Sequence, residues 1–221
     1  MSKEASTVTK RLPTWLSTLS HGWPALGILF LLGLGCSSVP PKHFFTVDYV
    51  LPPSQQRAAR INTSVRFRPL DVARPYDTRQ IVFRLSPYEI RYYKRRLWAT
   101  KPQKMLTGIL FKRLERARLF SDFSLEYKNR RPDYELRGEL IAIEKIDSGD
   151  IWFAHLATSF ALVKDPGKAA EKVVWEYQAD KRKQIYDSKM VIVVRTISEL
   201  FEEVLQEVEN GVLQYMESHK G

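Results

Sequence analysis

YELRGELIAIEKIDSGDIWFAHLATSFALVKDPGKAAEKVVWEYQAD, residues 134–180, is rich in strand-forming residues from end to end. Ser148-Gly-Asp150 reads as a turn between two long strands, and Asp165-Pro-Gly-Lys168 as a second turn. In the middle strand Trp152, Ala154, Leu156, Phe160 and Leu162 share one face, interrupted by Thr158 alone. In the third, Val173, Trp175, Tyr177 and Ala179 alternate with Glu176, Gln178 and Asp180. Alternation of this length predicts a meander of three antiparallel strands with one face buried. Odd positions of the middle strand then point outward, which predicts a surface location for His155.

Downstream, the charged Lys181-Arg-Lys183 leads to Met190-Val-Ile-Val-Val194, which suits either a buried strand or a helix lead-in. Thr196-Ile-Ser-Glu199 has the form of a capping box. Behind it Ile197, Leu200, Phe201, Val204, Leu205, Val208, Val212 and Tyr215 recur with helical period, acids opposite them. Upstream, Gln80 to Leu85 alternates and Tyr88 to Tyr93 resumes after Ser86-Pro87, predicting a hairpin. Thr63 to Leu70 is a further strand, and Phe44 to Leu51, stopped by Pro52-Pro53, a first one. Thr100-Lys-Pro-Gln103 predicts a capped start for a helix with Leu106, Ile109, Leu110, Leu114 and Ala117 inward. Lys104, Lys112, Arg113, Arg116 and Arg118 fill its other side. The expected class is α+β: an antiparallel sheet with two amphipathic helices packed on one face, a single domain over residues 44–218.

The amino terminus reads differently. Lys3, Lys10 and Arg11 precede about a dozen apolar residues in the stretch Trp23 to Gly35, too few to span a bilayer, and small residues follow. Cys36, the only cysteine, stands directly after Gly35, and the arrangement resembles a bacterial lipoprotein signal, with Gly33 where such signals usually carry Leu. That resemblance implies a signal peptide over 1–35, a diacylglyceryl group on the Cys36 thiol, an acyl chain such as palmitate on the new amine, and a lipidated tether over 36–43. Two acyl signals anchor stably where one does not. Ser37 fits sorting to the outer membrane, periplasmic side. The other readings are an uncleaved inner-membrane signal anchor facing the periplasm and an ordinary signal whose cysteine is buried.

The 221 residues carry a net charge of +10, of which the first 35 contribute Lys3, Lys10, Arg11 and Glu4, leaving +8. A pI near 9.7 suggests nucleic acid in a cytoplasmic protein. Behind an export signal it points instead to anionic lipid or acidic protein surfaces, and no nucleic-acid partner is expected. One cysteine excludes an internal disulfide, so packing alone must hold the domain.

No catalytic pattern emerges. The histidines at 21, 43, 155 and 219 have no metal-ligand spacing, and no phosphate loop or nucleophile elbow is present. Glu199, Glu202, Glu203, Glu207 and Glu209 read as the solvated side of a helix. No enzyme activity, metal or cofactor is expected. Two basic clusters remain, Lys181 to Lys183 and Arg91 to Arg96. The candidate partner or lipid surface combines Arg91, Tyr92, Lys94, Arg95, Arg96 and Trp98 with Lys112 and Arg116 of the first helix, aromatic rings supplying contact area.

The tract Arg74-Pro-Tyr-Asp-Thr-Arg-Gln-Ile-Val-Phe-Arg84, then Tyr88 to Tyr93, then Leu97-Trp-Ala99 and an amphipathic helix closing on Leu119-Phe-Ser-Asp-Phe123, is similar to the ABC-type transport auxiliary lipoproteins. The Phe/Tyr-rich stretch from Phe44 to Leu51 resembles that family too. The likeness covers roughly residues 36 to 216, most specifically 74 to 123. It implies an α+β domain without an active site, serving transporters built around mammalian-cell-entry (MCE) domains that move lipids or other hydrophobic compounds. Two functions follow as expectations: an accessory subunit that docks a periplasmic or inner-membrane transporter component, or a carrier that itself holds phospholipid by an acyl chain between sheet and helices. An envelope hydrolase lacks a nucleophile with a base.

Overall fold

The computed structural model describes residues 40–50, 60–127 and 130–219, and Lys42–Gly221 make one compact unit. The signal, Cys36 and the start of the tether lie outside the described residues. Twelve elements follow in order: β1 (His43–Phe45), β2 (Ile61–Phe67), β3 (Asp71–Val72), a 3-10 turn (Arg74–Tyr76), β4 (Gln80–Ser86), β5 (Glu89–Trp98), α1 (Pro102–Ala117), β6 (Phe120–Ser124), β7 (Tyr134–Asp147), β8 (Trp152–Lys164), β9 (Lys172–Ile185) and α2 (Met190–Ser218).

β7 is the spine of the sheet. Along one edge it pairs with β8, which pairs with β9, both antiparallel, and this is the expected meander. Along its other edge β2, β3 and β4 pair with it in succession, all three parallel. β6 joins β2 in parallel, β5 closes the predicted hairpin on β4, and β1 lies parallel to β5. The α+β class stands, but the sheet is mixed where an antiparallel one was expected. Alternation reports which face a strand buries and carries no information on its direction; only short turns reveal antiparallel neighbours.

Both helices lie on one face. Phe67 of β2 is level with Leu136 of β7, Leu136 with Leu162 of β8, and Leu162 with Trp175 of β9, so the four side chains share a side. Phe67 stacks with Phe111 of α1, the centroids 6.4 Å apart, and Trp175 abuts Gly211 of α2. A bulge at Ile141 shifts the alternation of β7, so Leu136, Gly138 and Leu140 are followed on this face by Ile143 and not Ala142. Gly138 is required there, because a Cβ would lie 2.6 Å from Leu70 and Phe160. Leu106, Leu110, Phe67, Leu136, Leu140, Ile143 and Phe201, all fully buried, fill the space between helices and sheet.

Three local expectations change. α1 starts after Lys101, with no side-chain cap; Gln103 turns its amide to the Leu70 carbonyl at 2.9 Å instead of closing a box with Thr100. Met190 to Val194 is helix, so Thr196 and Glu199 sit inside α2, and the Thr196 hydroxyl donates to the Ile192 carbonyl. Of the predicted first strand, Phe44 to Leu51, only Phe44 and Phe45 pair among the described residues, together with His43 before them; the chain then leaves the sheet, and Val47 and Asp48 donate their amides to Met105 Sδ and Ser198 Oγ. Bonding to both helices binds this segment outside any ladder.

Candidate functional site

On β5, Arg91, Tyr92 and Lys94 are exposed and Arg95 and Arg96 half-buried. Arg91 pairs with Glu89 at 2.6 Å, and the Arg96 guanidinium stacks over the Tyr93 ring at 4.7 Å. Lys94 and Arg95 meet no ion-pair partner among the described residues. Trp98 is a correction: it is 1% exposed, a core residue held beside Phe45 where β1 covers the strand end, and supplies no surface. On α1, Lys112 is exposed and Arg116 half-buried, but Arg113 turns inward, 2.5 Å from Glu202 and 2.9 Å from Glu209 of α2. No hydrogen bond or ion pair joins Lys112 to β5 among the described residues. The second basic cluster is used internally: Lys181 meets Glu203 and Glu207, and Lys183 meets Glu199, which clasps β9 to α2.

The opposite face of the sheet carries a polar arrangement that the sequence reading missed. His155 does point away from the helices, yet it is buried, not on the surface. Its Nδ1 lies 3.0 Å from Glu144 Oε1 and its Nε2 3.0 Å from Asp180 Oδ1. Glu144, fully buried, also receives Arg84 Nε at 2.8 Å and the Tyr76 hydroxyl at 2.8 Å. Burial works to raise the Glu144 pKa, but hydrogen bonds from His155, Arg84 and Tyr76 outweigh it and hold the carboxyl below its ordinary value. Burial, with the Glu144 charge adjoining, pushes the Tyr76 phenol up to about 12. A cleft of about 620 Å³ opens over this ladder, walled by Pro75, Ile90, Ile141 and Ile146. The signal was present in the hairpin: counting outward from its turn, Asp147 meets Trp152 and Glu144 meets His155.

A second buried carboxylate, Glu135, is surrounded by Arg66, Arg68 and Arg137 on the same face. Glu135 is ringed by guanidinium groups, and Glu144 by the Arg84 guanidinium, the Tyr76 hydroxyl and the His155 ring. Each His155 nitrogen faces a carboxylate, so neither is placed to take a proton from a hydroxyl nucleophile; the arrangement ties β4, β7, β8 and β9 together. Among the described residues no cluster of His, Cys, Asp and Glu could hold a metal ion, and no described helix is long and apolar enough to cross a membrane.

On the helix side a groove of about 580 Å³ runs between the segment Phe44–Val50 and the first three turns of α2. Its walls are Phe44, Phe45, Tyr49, Val50, Val191 and Val194; Asp48, Arg195, Ser198, Glu199 and Glu202 complete it.

Residues 49–209 match the model of a family described as ABC-type transport auxiliary lipoprotein component. Among solved structures the fold is similar to a Xanthomonas campestris protein of the DUF330 family, with a TM-score of 0.67 at 16% identity, covering 80% of this chain and 98% of that one. It is also similar to an uncharacterized protein, with a TM-score of 0.60 at 10% identity over 78% of this chain and 99% of that one. No curated protein matches the chain.

Proposed function

The chain belongs to the ABC-type transport auxiliary lipoprotein family, and from this premise we propose that it is a non-enzymatic subunit held by an acylated Cys36 at the periplasmic face of the outer membrane. There it docks an MCE-domain or other periplasmic component of a transporter for lipids or other hydrophobic compounds. Family membership supports the accessory role and the cell-envelope location. The observation that carries the docking reading is the set of unpaired cations on β5. Lys94 and Arg95 have no ion-pair partner among the described residues, whereas Arg113, Lys181 and Lys183 are spent on internal pairs. Lys94 and Arg95, with Tyr92 exposed beside them, are the part of β5 offered to an acidic partner, and Arg91, Arg96, Lys112 and Arg116 add positive charge to the domain around it.

Photocrosslinking from a benzophenone placed at the exposed position 92, in place of Tyr92, in solubilised envelopes, followed by identification of the captured subunit, tests this reading. Capture of an MCE-containing complex is expected, with recovery falling severalfold in Lys94→Glu/Arg95→Glu; unchanged recovery removes the β5 surface. Cys36→Ala is expected to release the protein from outer membranes, and continued sedimentation defeats the tether. The carrier reading, an acyl chain held between sheet and helices, gains no support from the packing, because fully buried side chains fill that space.

A further inference from the structure

The groove between Phe44–Val50 and α2 has an unusual rim. Phe44 is 55%, Val50 83% and Val191 57% exposed, three large apolar side chains around one apolar cleft. Single exposed apolar residues need no explanation; a cluster lining a cleft marks a contact surface. Its charges sort by whether they are already paired. Glu199 is neutralised by Lys183 and Glu202 by Arg113. Arg195 in the groove and Lys42 just before it meet no ion-pair partner among the described residues, leaving Asp48 as the opposing charge.

We propose that this groove is a second, non-covalent contact with the bilayer: Phe44, Val50 and Val191 enter the headgroup–acyl boundary, and Arg195 and Lys42 face lipid phosphates. The proposal rests on the reading of Cys36 as acylated. Eight residue steps lead from Cys36 to Phe44, so even a fully extended tether keeps Phe44 within about 27 Å of the anchored cysteine. A bilayer is then always within reach, and tethering turns a weak surface contact into an intramolecular one at an effective concentration on the order of millimolar. Tyr49, an amphipathic ring, and the pairing of cations with a small apolar rim suit an interface that is apolar on one side and anionic on the other. A protein partner or a second copy of the chain would have no such guarantee of proximity.

The test uses the full acylated protein, reconstituted in vesicles of phosphatidylethanolamine and phosphatidylglycerol, with Val191→Cys carrying an environment-sensitive NBD probe. Glu176→Cys, on exposed β9 away from the helices, is the control. An acylated Cys36 leaves one free thiol, which intact mass verifies. The expected result is a blue-shifted Val191 probe that brominated phospholipids quench at least twofold more than the control. A Val191 probe as wet and unquenched as the control, with one label per chain, overturns the membrane contact and leaves the anchor standing. A probe that is shielded yet unaffected by brominated lipid assigns the groove to protein and overturns it equally. Two labels per chain reveal a bare Cys36, which removes the anchor and the contact together.

Discussion

His155 Nδ1 stands 3.0 Å from Oε1 of Glu144, a carboxylate with no solvent exposure, and this contact links the two central strands at the middle of a four-strand ion ladder. Arg84, Glu144, His155 and Asp180 come one each from β4, β7, β8 and β9, so the ladder crosses both the parallel and the antiparallel halves of the sheet.

Removing the central anion leaves the Arg84 guanidinium without its counter-charge, and the His155 ring and the Tyr76 hydroxyl without their hydrogen-bond partner, in a buried place. Glu144→Ala is expected to cost about 3–5 kcal/mol, read as a lowered urea midpoint at pH 7 with an unchanged slope. An effect under about 1 kcal/mol would show that the ladder is not a stabilising unit.

The same carboxyl sets an acid dependence. Its folded pKa is depressed, so its contribution is fully present above the unfolded value near 4.3 and fades as pH falls through the lower folded value. Wild type is expected to lose stability below about pH 4 more steeply than Glu144→Gln, in denaturation curves taken between pH 7 and pH 3. Parallel curves would contradict the assignment.

Tyr76 gives the alkaline counterpart. With the phenol pushed up to about 12 in the fold, the folded state keeps its proton where the unfolded chain loses it, so stability falls as pH rises from 10 towards 12. Tyr76→Phe is expected to lose about 1.5–3 kcal/mol at pH 7, the range for a hydrogen bond to a charged group, and to flatten that alkaline decline.

Gly211 lies inside α2, where alanine ordinarily adds about 1 kcal/mol of helix stability. Here a Cβ would come 2.6 Å from the Trp175 ring. Gly211→Ala is therefore expected to destabilise by about 1–3 kcal/mol, and thermal melting decides the sign. Gly138→Ala should do the same, pressed between Leu70 and Phe160.

Arg113 joins the helices. It is 12% exposed on its side chain and reaches Glu202 and Glu209 together. A double-mutant cycle of Arg113→Ala with Glu209→Ala is expected to show a coupling of about 0.5–3 kcal/mol, and additive losses would mean that the pair contributes no interaction of its own.

Much of this architecture was readable along the chain. The β7–β8–β9 meander and the β4–β5 hairpin follow from alternation interrupted by turn residues, and both helices from their apolar stripes, because these signals depend on neighbours a few residues apart. The bounds suffered where two local signals competed. Thr196 and Glu199 have capping chemistry, but Met190 and Val193 find a buried face on the sheet, and burial of that turn extends the helix past the box. Trp98 and His155 depart from the expectation because exposure depends on what closes over a strand: β1 pairs along the end of β5 at Trp98, and Glu144 and Asp180 of the flanking strands close on the His155 ring.

The sequence by itself determined the α+β class, the helix faces and the family likeness, since periodicity and turn chemistry are properties of contiguous residues. Only the tertiary structure decided that β2, β3 and β4 run parallel along one edge of β7, that Glu144 meets Arg84 sixty residues away, and that Phe44 and Val191 share a groove. Those pairings join segments far apart in the chain, and which of them form is settled by the competition to bury one common face, which no local window of residues records.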